Sequence, residues 1–160
     1  MENDIADANF YKDLTSEDDV GLILKGHLHI EHQLIELISL TLPFPNRCNL
    51  ARLSYSAKVE LALACGLKED MRAPLKQIGS LRNDFAHVLG RNIEKKIILD
   101  LYNGLSERLK DGLKESHRSI RRGELPNPSE IDERDLLILM IVSLRQTIKA
   151  GCLVLKGVVS

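Results

Sequence analysis

The chain has 160 residues, a net charge of -1, 44% hydrophobic and 28% charged residues, and no tryptophan. That length supports one domain with a real core, and the composition excludes a disordered chain. The balanced charge excludes a global electrostatic pull toward nucleic acid, so any such binding needs a local patch.

Aromatic residues make up only 4%, so the core must be Leu, Ile, Val and Ala, a composition that favours helix packed on helix. Residues 1–15 read as a polar N-terminal tail and 16–160 as the folded domain. The tail is acidic and has no apolar signal core, and Cys48, Cys65 and Cys152 are widely spaced outside any CxxC pattern. Both features lead to the expectation of a cytoplasmic chain with reduced thiols.

Ser16 is placed to cap the first long helix, with Glu17, Asp18 and Asp19 in its opening turn. Val20, Ile23, Leu24, Leu28, Leu34, Ile35, Leu37, Ile38 and Leu42 then recur near the helical period until Pro43 and Pro45 stop the run. Its polar positions include His27, Glu31, His32 and Glu36. After a loop to Asn49, a second helix starts near Ser54 or Ser56 and ends at Cys65-Gly66, where Gly66 suits a left-handed position. The third begins after Lys68-Glu69-Asp70, takes Pro74 in its first turn, and runs through Leu75, Ile78, Leu81 and Phe85 to loosen near Gly90.

Asn92 caps a fourth helix that carries Ile93, Ile97, Ile98, Leu101, Leu105 and Leu109 and weakens at Gly112. Lys114 to Asn127 reads as basic and loop-like. A fifth helix starts at Ser129 or Asp132 and reaches about Lys156. Its run Leu136–Val142 is apolar nearly all round, too short on its own for the ~20 residues of a membrane span. It either crosses the middle of the bundle or forms a homodimer interface. No stretch alternates over strand length, so the expected class is all-α, a single-domain bundle of about five helices.

The chemistry-bearing segment is Arg82-Asn83-Asp84-Phe85-Ala86-His87, at the end of the third helix. It combines a permanent cation, an amide, a carboxylate and a side chain that titrates near neutrality. Metal-free phosphodiester cleavage uses such groups: His87 as general base on a 2′-hydroxyl, Arg82 against the transition-state charge, Asn83 on the phosphate. Five residues of helix turn by about 500°, however, so Arg82 and His87 point roughly 140° apart. They meet only if the helix ends between them, if the Arg stem curls around, or if a second copy completes the site. Asp84 lies between the two in projection, and Glu31 on the first helix is placed to orient His87 or pair with Arg82. The competing reading is structural, with Arg82 paired to a carboxylate such as Glu31 and His87 capping carbonyls. His27, His29, His32, His87 and His117 show no metal-site spacing, and no cofactor motif is present.

The only basic concentration runs from Arg108 to Arg122. Lys114, Arg118, Arg121 and Arg122 are its candidates for holding RNA phosphates or an acidic partner. Carboxylates interrupt it and no aromatic interleaves it, so a solvated face competes with that role.

The layout Gly26-His27-Leu28-His29-Ile30-Glu31, Leu53-Ser54-Tyr55-Ser56-Ala57-Lys58-Val59, Leu63-Ala64-Cys65-Gly66-Leu67 and Leu81–His87 resembles the mannitol-operon-repressor-like (MtlR-like) family of small helical proteins. The Arg-x4-His segment also looks like the signature of the wider HEPN superfamily. The resemblance covers about residues 16–110. It implies one of two functions. A mannitol-repressor-like protein would be a transcription regulator acting through protein contacts, without a helix-turn-helix to read DNA directly. A HEPN member would be a metal-independent endoribonuclease of toxin or phage-defence type, using Arg82 and His87 in a dimer cleft with Asn83 beside the Arg. Both imply a likeness to homodimeric, cofactor-free proteins whose partner is a protein or an RNA, with no membrane role.

Overall fold

The computed structural model describes residues 2–88 and 90–157, with side chains from Asn9 onward; Met1, Leu89 and residues 158–160 lie outside it. Among the described residues the fold is all-helical. Seven α-helices run in order as α1 (Glu2–Thr15), α2 (Asp19–Thr41), α3 (Tyr55–Ala64), α4 (Arg72–His87), α5 (Lys95–Asn103), α6 (Glu107–Arg121) and α7 (Glu133–Leu155). Short 3-10 turns fill the connections at Pro45–Arg47, Leu50–Arg52, Glu69–Met71 and Pro128–Glu130.

The stretch expected to be a polar tail is helical. It docks through Phe10 and Leu14, both buried, and the Tyr11 hydroxyl accepts a hydrogen bond from Arg121 at 2.8 Å. Two anchors at i, i+4 suffice to hold one face of an otherwise polar helix. Its presence also moves the start of α2. Ser16 turns back to donate to the Asp13 carbonyl, closing α1, and Asp18 becomes the cap, accepting from the Gly21 amide at 2.7 Å.

Ser54 caps α3 by accepting from the Ala57 amide at 3.1 Å, and Gly66 takes φ +104 just past the helix end. These are the signals the sequence carries. The expected fourth helix is in fact two. Gly104 ends α5, and Ser106 caps α6 by accepting from Leu109 N at 3.3 Å. Leu101, Leu105 and Leu109 continue in helical register across the break, which hides it. The basic segment from Lys114 is helical as far as Arg121, because Leu113, Ser116 and His117 all turn into the bundle.

The last helix resolves between its two expected roles. Every residue from Leu136 to Leu144 is buried, and α7 packs against α1, α2, α5 and α6. By length and composition alone α7 is apolar enough to cross a membrane; here that surface is the centre of the bundle. Its start is tied to the rest through Asp19, whose carboxylate takes the Arg134 guanidinium at 2.6 Å and the Ile93 amide at 3.1 Å. The same α2 also meets α3 and α4, and a cavity opens where the three come together.

Candidate functional site

Between α2, α3 and α4 lies a cavity of about 440 Å3 lined by His27, Glu31, Ser54, Tyr55, Ser56, Lys76, Gly79, Arg82 and Asn83. Each wall has a local cause. One turn apart on α2, His27 and Glu31 share a face. The Ser54 cap starts α3 at the cavity edge. From α4 come Arg82 and Asn83, with Gly79 one turn earlier. At Gly79 an added Cβ would lie 2.7 Å from the Tyr55 ring, so the absence of a side chain lets that ring close against α4. The Tyr55 hydroxyl is anchored by donating to the Leu75 carbonyl at 2.9 Å, and the His27 ring stacks on it, 4.2 Å between centroids and 41° between planes.

Burial dominates the electrostatics. His27 is 5% exposed, and desolvation pushes its imidazole below the ordinary value; Glu31 opposes this, while the Arg82 and Lys58 charges add to it. Burial likewise raises the Tyr55 phenol, with Glu31 adding to the rise. Lys58 is 2% exposed and reaches the Glu31 carboxylate at 2.6 Å, so the two charges compensate each other.

The residues singled out in the sequence divide here. Arg82, Asn83 and Glu31 come to one cavity, but Glu31 pairs with Lys58 and not with Arg82. The polar partner of Arg82 is the Asn83 side-chain oxygen, at 3.0 Å. Asp84 is exposed and faces Arg91 at 3.9 Å, so it fixes neither Arg82 nor His87. The helix does not end between Arg82 and His87. His87 is the last residue of α4, exposed, and does not line the cavity. The histidine that the fold does bring toward Arg82 is His27. Its signal was present in the Gly26–Glu31 segment, but only a contact with α4, 55 residues later, gives it a role.

No family model, curated protein or solved structure matches this chain. Its chemistry is therefore read from these side chains alone. Among the described residues no group of three His, Cys, Asp or Glu side chains converges to hold a metal ion.

The basic stretch is largely neutralised within the chain. Arg108 makes a forked pair with Asp70 at 2.9 and 2.6 Å, and that contact holds the Asp70 carboxyl below its usual range. Lys114 pairs with Asp111 at 2.9 Å, Arg118 with Glu115 at 3.2 Å, and Arg121 with Asp135 at 3.1 Å. Arg122 is exposed at the end of α6, with φ +50. His117 is buried, its Nδ1 3.3 Å from the Gly123 carbonyl.

Proposed function

We propose that the chain is a helical regulatory protein, similar in kind to mannitol-operon repressors, that acts through contacts with another protein rather than by reading DNA or cutting RNA. The observation that supports this most is the pairing of the basic stretch. Nucleic acid capture depends on Lys and Arg free to displace counterions. Along α6 those groups are already matched by Asp70, Asp111, Glu115 and Asp135. Among the described residues each α-helix also buries a face within the bundle, and the sequence carries no recognisable helix-turn-helix with its own recognition helix.

One observation favours a second reading. Arg82 is half-buried with a side-chain oxygen as its polar partner, and His87 is exposed on the same helix. A second copy apposed at the end of α4 would complete the composite site of a metal-independent endoribonuclease.

The two readings separate in one experiment. Purified wild type, Arg82→Ala and His87→Ala are incubated with total RNA in EDTA, and the same preparation is mixed with upstream DNA of the transcripts that change when the gene is deleted. The regulatory reading expects intact RNA in all three tubes, a small set of altered transcripts, and no retained DNA at 200 mM salt. RNA cleaved by wild type and by neither variant would replace it with the nuclease.

A further inference from the structure

The cavity between α2, α3 and α4 gathers more hydrogen-bond donors than the chain itself can use. Its one carboxylate, Glu31, is matched by Lys58 at 2.6 Å, and Lys76 is matched by Glu60 at 2.7 Å. Among the described residues the guanidinium of Arg82 is left without a carboxylate. Its bond to the Asn83 oxygen occupies the acceptor end of that amide and, among the described residues, leaves the two N–H donors without a protein partner.

The start of α3 contributes from a third side. Ser54, Tyr55 and Ser56 all line the cavity; Ser54 Oγ takes the Ala57 amide, but the Tyr55 and Ser56 amides before it have no intrahelical acceptor and sit at the positive end of the helix dipole. Independently of that helix end, His27 is 5% exposed. Among the described residues its ring nitrogens make no hydrogen bond to the protein, and its contact there is the Tyr55 ring. The His27 nitrogens are not among the fully buried atoms without a partner, so they keep access to the cavity that the residue lines. A ring nitrogen open to that space can be met by an acceptor that a ligand would bring.

We infer that this cavity binds a phosphoryl group carried as the monoester of a small molecule, held by Arg82, Asn83, His27 and the first turn of α3. A carboxylate presents two oxygens, whereas a phosphate monoester presents three, the number suited to donors arriving from three helices. The volume, about 440 Å3, falls within the ~300–1,000 Å3 of small-ligand sites, so there is room beside the phosphate for an organic body against the His27–Tyr55 pair. Phosphate chemistry also comes from a nucleic acid backbone, as a diester. The monoester is favoured because the neighbouring surface charge is paired off rather than arrayed along a strand path. This site stands independently of whether the chain regulates by protein contacts.

The test titrates inorganic phosphate, phenyl phosphate and a short single-stranded RNA into the full chain. Histidine ring resonances are followed by NMR, with sodium chloride at matched ionic strength as control. The His27 signal is assigned by its loss in His27→Gln. Phosphate is expected to move it saturably, and phenyl phosphate to do so at several-fold lower concentration. Arg82→Ala is expected to weaken binding about tenfold or more, the scale of one charge-assisted hydrogen bond. Arg82→Lys should fall between, since it keeps the charge and loses the fork, and it serves if the alanine variant does not fold. Arg118→Ala, outside the cavity, should bind as wild type does. Equal movement with chloride, undiminished binding by both Arg82 variants, or tighter binding of the RNA than of phenyl phosphate would overturn the assignment.

Discussion

Two helices of equal length cross this bundle, and one buries polar groups where the other buries almost none. Both α2 and α7 are 23 residues long and pack on each other. From Leu136 to Leu144, α7 is buried throughout, with Ser143 as its single polar member. On α2, Leu22, Ile23, Ile30, Leu34, Leu37 and Ile38 are buried toward the core, but His27 and Gln33 are buried as well, and Glu31 meets Lys58 beside them. Part of this polar set is unsatisfied: Gln33 Nε2 donates to Glu36 at 2.5 Å, while Gln33 Oε1 is buried without a partner. Burying polar groups costs stability that a leucine would not. The contrast teaches that the centre of α7 is given over to apolar packing, whereas α2 contributes to the core and also buries polar groups at a cost.

The largest expected effect breaks the contrast on the α7 side. Leu139 is 1% exposed. Replacing it with alanine removes methyl groups from a packed centre and should cost about 3 kcal/mol in urea unfolding, within the usual range for such cavities. Phosphate affinity of the folded fraction should not change. A loss under about 1 kcal/mol would mean that α7 is not the packing centre.

The next largest effect lies on the α2 side. Lys58→Met leaves the Glu31 carboxylate beside a cavity with its nearest cation gone. Removing one partner of a buried pair costs about 3–5 kcal/mol, and since the Glu31 side chain is 21% exposed solvent should hold the loss nearer 2 kcal/mol. The double variant Lys58→Met/Glu31→Leu should recover most of it, because a packed apolar pair replaces a charged one without leaving an orphan. A double variant as unstable as the single would show that the pair is not the energetic unit.

How much of this was legible in the sequence follows from the range of each signal. Helix class, Gly66 and the start of α4 near Pro74 depend on neighbours within a turn and appear where the sequence places them, and of the two starts the sequence offers for α3 and for α7 the structure takes Ser54 and Asp132. Two of the failures have a common form. Leu105 and Leu109 keep helical register across a real break at Gly104, and Ser116 and His117 occupy buried positions that a hydrophobic pattern reads as polar. A pattern of apolar spacing registers burial only where the buried residue is apolar. The site repeats that lesson. Arg82 and Asn83 were visible because they sit in a compact motif, whereas His27, Tyr55 and Gly79 come together only through the packing of three helices.

The smallest effect is the one that speaks most directly to His27. Burial lowers its basicity in the folded chain, with Arg82 and Lys58 adding and Glu31 opposing. In the window below the unfolded value of about 6.5, the folded chain therefore holds fewer protons on His27 than the unfolded chain does. Stability must fall as pH drops through that window and be fully present above it, with a limiting slope of about 1.4 kcal/mol per pH unit for one proton. Burial lowers His29 too, with Arg145 adding, so the wild-type slope is shared by two histidines. Urea unfolding of His27→Gln and His29→Gln between pH 7.5 and 5 divides it. Each variant should flatten the profile, and His27→Gln should flatten it more, because His27 is buried whereas His29 is only partly so. Saturating phosphate should reduce the wild-type slope, since a bound dianion favours the imidazolium and restores protonation in the folded state. It should leave the His29 share untouched. A phosphate effect that survives in His27→Gln would place the anion elsewhere, and α2 would then bury its histidine for packing alone.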